Sequence, residues 1–220
     1  MTTTLVTGAN RGIGLELARL RKANGHDVIA VCRKTSPELD ALGVRVEAGI
    51  DISDAASADE LRKRFAGADI DHLIANAGIL HGDTLDKLSF DSIFEQFNVN
   101  AVGALRTVHA LLPRLRGEAK IALITSRMGS IADNGSGGYY GYRMSKAALN
   151  AAGVSLARDL KTRRIAVAIL HPGYVRTDMT GNQGGIAPRD AAEQLLARID
   201  ALTLQNSGTF WHANGEILPW

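Results

Sequence analysis

Tyr142 and Lys146 stand four residues apart in the stretch Tyr142-Arg143-Met144-Ser145-Lys146, a spacing that puts both on one face of a helix, one turn apart. A phenol titrates near ~10, so at neutral pH it exchanges protons poorly. Bringing it to about 7 takes roughly 4 kcal/mol of phenolate stabilisation. A lysine ammonium ~4 Å away, at an effective dielectric of ~20, supplies about that much. The pair thus has the makings of a tuned general acid/base. A surface helix with one aromatic and one basic residue has the same spacing, so the pair gains meaning only from the rest of the chain. Ser126 ends an apolar run and is followed by a glycine-rich polar loop, 130–141, long enough to fold it back beside Tyr142. Asn100 falls in a helix-periodic segment, where a buried amide requires partners. It is a candidate structural or catalytic amide.

The elements that must position these groups begin with Thr3 to Thr7, a short β-branched run. It breaks into Gly8-Ala9-Asn10-Arg11-Gly12-Ile13-Gly14 and then into helix-periodic Leu15, Leu17, Ala18 and Leu20. Such glycines let the chain turn tightly and let a pyrophosphate approach the amides at the helix start, where the dipole favours negative charge. Gly8, Asn10, Arg11, Gly12, Ile13 and Gly14 are therefore candidate cofactor-binding residues. The spacing differs from the common dinucleotide fingerprint and lacks the lysine of a P-loop, and an αβ turn with no ligand would also use it.

Val28 to Cys32 reads as a second strand, followed directly by Arg33 and Lys34. In dinucleotide folds this strand usually ends in an acid that binds the adenosine ribose. Cys32 and Arg33 occupy that place here. A guanidinium suits a 2′-phosphate that a carboxylate would repel, and Arg11 could reach the same phosphate. The pattern favours NADP(H) over NAD(H), although solvated loop charges are the simpler role for Arg33 and Lys34.

Val44 to Ala48 is a third strand, ending at Asp51-Ile52. That pair could hold adenine by a polar contact and an apolar wall, while helix capping is the simpler role for Asp51. A helix from about Asp54 to Phe65 leads to a fourth strand, Ile70 to Ala75, with Asn76-Ala77-Gly78 at its carboxyl end, where ligands bind in open α/β sheets. Phe90 to Leu115 reads as one long helical segment carrying Asn98 and Asn100, ended or kinked by Pro113. Lys120 to Thr125 is the strand that carries Ser126.

A helix runs from Tyr142 to about Lys161, with Ala147, Ala148, Ala151 and Ala152 forming a face small enough for close packing or a subunit contact. Ile165 to Leu170 is a sixth strand, followed by His171-Pro172-Gly173-Tyr174-Val175-Arg176-Thr177, a turn at another strand end. His171 could be a site residue, but a strand-end histidine with a hydrogen-bond partner is the favoured reading. A helix from about Pro188 to Leu202 and a seventh strand near Thr209 to His212 complete the alternation. His81, His109 and His212 share no ligand spacing, so no metal site is expected. The pattern predicts one α/β domain over 1–220, a doubly wound sheet of about seven parallel strands with helices on both faces.

Hydrophobic residues make up 45% and charged residues 22%, proportions that suit a globular protein. The net charge of +2 shows no basic stripe, which argues against a nucleic-acid or membrane-surface partner. The opening residues lack the charged flank and apolar core of a secretory signal. The single cysteine, Cys32, fits a reducing compartment. Cytoplasm is the expected location.

Taken together and in order, these motifs make the chain resemble the single-domain short-chain dehydrogenases/reductases over nearly its whole length. The family's cofactor motif corresponds to Thr7, Gly8, Gly12 and Gly14, its Asn-Ala-Gly to Asn76, Ala77 and Gly78, and its catalytic tetrad to Asn100, Ser126, Tyr142 and Lys146. Its Pro-Gly cofactor loop is similar to Pro172-Gly173, with Val175 and Thr177 placed toward the nicotinamide amide. The stretches Ser126 to Ser130, Ser136 to Tyr140, and Gly208-Thr209-Phe210 to Leu218-Pro219-Trp220 look like the sniffer-like carbonyl reductases and C-factor-like proteins.

The resemblance implies a Rossmann-type domain, NADP(H) as cofactor and a small carbonyl or alcohol substrate. The alanine-rich helix face permits a homodimer or homotetramer, and it would equally pack against the sheet. The resemblance also implies that Lys146 lowers the tyrosine pKa and that Asn100 holds a relay water. A signalling or sensor protein that binds NADP(H) with little catalysis is the alternative. Two departures stand out: a longer loop between Ser126 and Tyr142, and a short segment after Thr177 that implies a shallow, permissive pocket. Tyr139 is a rival phenol, but Arg143 follows it by four where a lysine is needed.

Overall fold

Strand faces alternate with a period of two, and here both faces are apolar, so each strand feeds two separate cores. In the computed structural model, which describes residues 1–220, Leu5, Ile29, Leu73, Ile121 and Val167 pack on one side of a sheet. Their neighbours Val6, Ala30, Ile74, Ala122 and Ala168 pack on the other. The seven strands are β1 (Thr3–Thr7), β2 (Asp27–Val31), β3 (Arg45–Glu47), β4 (Ile70–Ala75), β5 (Leu115–Ile124), β6 (Ala166–His171) and β7 (Phe210–His212). All pair in parallel, in the order β3-β2-β1-β4-β5-β6-β7.

The helices are α1 (Gly12–Ala23), α2 (Pro37–Asp40), α3 (Ser57–Arg64), α4 (Phe90–Phe97), α5 (Ala104–Leu111), α6 (Tyr140–Asp159) and α7 (Pro188–Asp200). α3, α5 and α6 contribute Leu61, Val108 and Leu149 to the first core. α1 and α7 contribute Leu17 and Leu195 to the second. The chain builds outward from β1 to β3, then crosses back to lay β4 on the other side of β1. That reversal opens a crevice at the carboxyl ends of β1 and β4, the place where open α/β sheets take ligands.

One expected element divides. The helix read from Phe90 to Leu115 is α4, a π-type turn at Asn98–Gly103, and α5, which stops at Leu111. Pro113 then sits in a short 3-10 turn, Leu112–Arg114. β5 begins five residues before the expected Lys120, because Leu115 pairs with Ile70 across a register irregularity. The wide turn buries Asn100 completely and supplies the break in the hydrogen-bond ladder that a regular helix would not.

α6 lies close on β5 and β6 because Gly153 faces them. A Cβ there would come within 2.7 Å of Ile169 side-chain carbons and 3.1 Å of Leu123 Cδ1. We therefore expect Gly153→Ala to destabilise the protein by about 1–2 kcal/mol, since overpacking outweighs the gain in helix propensity. The urea unfolding midpoint is the readout, and an unchanged or raised midpoint contradicts the packing assigned to α6.

Candidate active site

The carboxyl ends of β1 and β4 are tied by side chains. The Thr7 hydroxyl accepts from the amides of Asn76 (3.1 Å) and Ala77 (3.2 Å), and the Asn76 amide group donates to the carbonyls of Thr7 and Gly8. Gly14 completes the junction: a Cβ on it would lie 2.2 Å from the Gly8 oxygen and 2.5 Å from Asn76 Nδ2. The Asn-Ala-Gly turn thus braces the glycine loop against the sheet.

The crevice beside this junction is a cavity of about 1000 Å³. Every cofactor candidate named from the sequence lines it except Gly173 and Val175. Val175 is buried and forms a β-bridge with Ile186, and Gly173 packs toward the His212 ring. The first turn of α1 opens into the cavity with no acidic residue and no side-chain cap from Arg11. Its amides are free to receive an anion.

Arg33 lies 3.8 Å from Asp51, and Arg11 is paired with Asp178 at 3.2 Å; Asp51 is half-buried and the other three are exposed, and all four line the cavity. An acid does therefore neighbour Arg33, supplied by the segment after β3 rather than by β2. Asp51 does not cap α3. Its carboxylate accepts from the Ser53 amide and hydroxyl. Burial raises its pKa, but the Ser53 bonds and the Arg33 charge outweigh that and hold it below the usual range.

At the inner end of the cavity, Tyr142 and Lys146 project one turn apart from α6, both buried. Lys146 Nζ sits 5.7 Å from the Tyr142 ring centroid and donates to the Ile124 carbonyl at 2.9 Å. Burial pushes the Tyr142 phenol up to about 12, with the hydrogen bond to Ser126 opposing it. Burial also pushes Lys146 down to about 8. Desolvation outweighs any lowering of the phenol pKa by Lys146, whose ammonium is turned to a backbone carbonyl. Two of the three ammonium protons have no acceptor in the protein, so the group is equipped to donate to hydroxyls entering the cavity.

Ser126 ends the run after β5, and its hydroxyl also accepts from the Met128 amide at 3.1 Å, which fixes its direction. Asn100 does not line the cavity. Its side-chain oxygen accepts from the Ile79 amide (2.8 Å), and its amide group donates to the Ile79 carbonyl and the Ser145 hydroxyl (2.9 Å each). It is a brace between the segment after β4 and α6, beside Gly78.

Sequence reasoning missed the groups that complete this frame. Thr125 donates to Asn150 on α6 at 2.7 Å, and Gln96 on α4 accepts from the His81 amide at 2.9 Å. Neither bond has a local signature, because the partners lie on different elements. His171 differs from its expected role. Its buried Nδ1 has no partner, its ring meets His212 edge-on at 4.9 Å, and burial pushes it down to about 3.

The model of the short chain dehydrogenase family matches residues 2–185, and the chain belongs to that family. It is 40% identical over 226 residues, the whole of both chains, to the 1-hydroxy-2-glutathionyl-2-methyl-3-butene dehydrogenase of Rhodococcus sp. (strain AD45). Among solved structures, the carbonyl reductase Sniffer of D. melanogaster superposes with a TM-score of 0.91 at 29% identity, covering all of both chains. A short-chain dehydrogenase/reductase from Burkholderia multivorans with bound NADP gives the same TM-score and identity, covering 100% of this chain and 99% of that one. The branch read from the sequence is the one to which these carbonyl reductases belong.

Removing the Asn100 brace strands the Ile79 backbone groups and the Ser145 hydroxyl in a dry interior. Asn100→Ala is expected to cost about 2–4 kcal/mol of stability in urea unfolding, and a loss below about 0.5 kcal/mol contradicts the bracing role.

Proposed function

We propose that the chain is an NADP(H)-dependent oxidoreductase of carbonyl reductase type, interconverting a small carbonyl compound and its alcohol. The observation that carries this reading is that Tyr142, hydrogen-bonded to Ser126, and Lys146 line the same cavity as the glycine loop and Arg33. The NADP bound in the Burkholderia multivorans structure and the reductase and dehydrogenase activities named for the relatives support it.

The free first-turn amides of α1 suit the pyrophosphate, Arg33 and Arg11 the 2′-phosphate, and Asp51 with Ile52 the adenine. Lys146 suits the nicotinamide ribose, and Pro172 and Thr177 line the inner wall. When bound, the nicotinamide donates or accepts the hydride.

The chain's own groups handle the oxygen and the proton. The Ser126 hydroxyl, oriented by the Met128 amide, hydrogen-bonds the substrate oxygen and opposes its drift. Tyr142 holds its proton at neutral pH because burial disfavours the phenolate, so in the reducing direction it starts in the state that can give a proton to the developing alkoxide. The Lys146 charge beside it stabilises the phenolate once that proton has moved. Asn100 keeps α6 seated against the segment from Gly78 to Ile79, which fixes where the phenol stands. The segment after Thr177 lines the cavity at Asp178, Met179 and Asn182, and its shortness favours a permissive substrate range.

Tyr142→Phe is expected to abolish NADPH-dependent carbonyl reduction while leaving the NADPH Kd within about twofold; substantial residual turnover removes Tyr142 from the acid role. Arg33→Ala is expected to raise the NADPH Kd by at least ~10-fold and the NADH Kd far less, measured by titration of cofactor fluorescence. Equal effects on the two cofactors refute the 2′-phosphate role.

A further inference from the structure

The helix that carries Tyr142 and Lys146 has no cap of its own. Tyr139 precedes it in a left-handed conformation (φ 52°), and its side chain does not reach the helix amides. The cap comes instead from a segment 57 residues away in sequence. The Asp83 carboxylate accepts from the amides of Tyr140 and Gly141, and its backbone carbonyl accepts from the Tyr139 amide at 2.9 Å. Asp83 is 9% exposed and makes no ion pair with any basic side chain, so the helix amides are its neutralising partners.

Asp83 belongs to an extended strap that is tied at every second residue. Ile79 is held by Asn100, His81 by Gln96, and Asp83 by the start of α6. Ile79 and His81 also line the cavity. The strap therefore joins the wall on which a substrate rests to the first turn of the helix that presents Tyr142. The fit at this end is tight: a Cβ on Gly141 would lie 2.7 Å from Gln96 Nε2 and 3.0 Å from Ile93 Cα. A shift of the first turn has nowhere to go without moving the phenol.

We infer that Asp83 is a positioning residue for the reaction, capping the catalytic helix from outside it and fixing Tyr142 relative to the substrate wall. The inference rests on the reductase reading above only for its kinetic consequence, because the cap itself is a matter of geometry and charge.

The test compares full-length wild type with Asp83→Asn, using tyrosine labelled with ¹³C at Cζ and Tyr142→Phe to assign the signal. The expected result is a Tyr142 ¹³Cζ signal displaced at neutral pH, because the phenol's surroundings have moved. It comes with a kcat for carbonyl reduction lowered at least ~10-fold and an NADPH Kd held within about twofold. An unchanged Tyr142 signal with unchanged kcat, measured well below the unfolding temperature, overturns the assignment and leaves Asp83 a stability cap only. A displaced Tyr142 signal in a protein whose wild type turns over no carbonyl keeps the positioning of Tyr142 and rejects the reductase reading instead. If Asp83→Asn does not fold, Asp83→Glu carries the same test. Its charge is kept but displaced by one methylene, so a lowered kcat at intact cofactor affinity supports the inference and wild-type kcat overturns it.

Discussion

The site depends on the cost of burying an ammonium and a phenol side by side. Water would solvate Lys146 fully; at 4% exposure it has one carbonyl acceptor and a pKa drawn down to about 8. Tyr142 is driven the other way, to about 12. Such groups persist in an interior only when the surrounding structure fixes them and when their charged forms are used. Much of the frame at this end of the sheet serves that purpose. The Thr7–Asn76 tie closes the floor, Asn100 and Gln96 hold the strap at residues 79–83, and Thr125–Asn150 and Gly153 seat α6 on β5 and β6.

Burial works against tuning and in favour of it. The low-dielectric surroundings raise the phenol pKa, and the Lys146 ammonium donates to a backbone carbonyl. The same surroundings make every charge interaction in the site stronger than it would be in water. Its acid is protonated, its cation is in place, and the cavity leads from both to a helix terminus with unpaired amides.

Much of this was legible in the sequence, for physical reasons. β1, β4, the glycine loop and the Tyr142–Lys146 spacing are local patterns, set by side-chain periodicity and by backbone conformations that glycine allows. They came out within a residue or two of their observed limits. What was not legible is whatever depends on tertiary partners. The helix-periodic run from Phe90 gives no warning that Asn98–Gly103 widens into a π-type turn, since the break is held by the contacts of Asn100 across to Ile79 and Ser145. Asp83 looks like any loop acid until α6 is brought against it. Asp51 supplies the acid near Arg33 from a neighbouring segment, a substitution in space that strand-end reasoning along β2 cannot see. The net direction of the Tyr142 shift was not legible either, because a spacing argument carries no desolvation.

The central claim is that the buried Tyr142–Lys146 pair serves NADPH-dependent reduction of a carbonyl. The most direct test is the rate of NADPH oxidation at neutral pH against a small set of aldehydes, ketones and quinones, with NADH in parallel. The account predicts turnover of at least some of these carbonyls with NADPH and markedly slower turnover with NADH. Tight NADPH binding with no turnover of any carbonyl would contradict it and favour a protein that binds the cofactor to sense it. Failure to bind either cofactor would contradict the reading of the cavity itself.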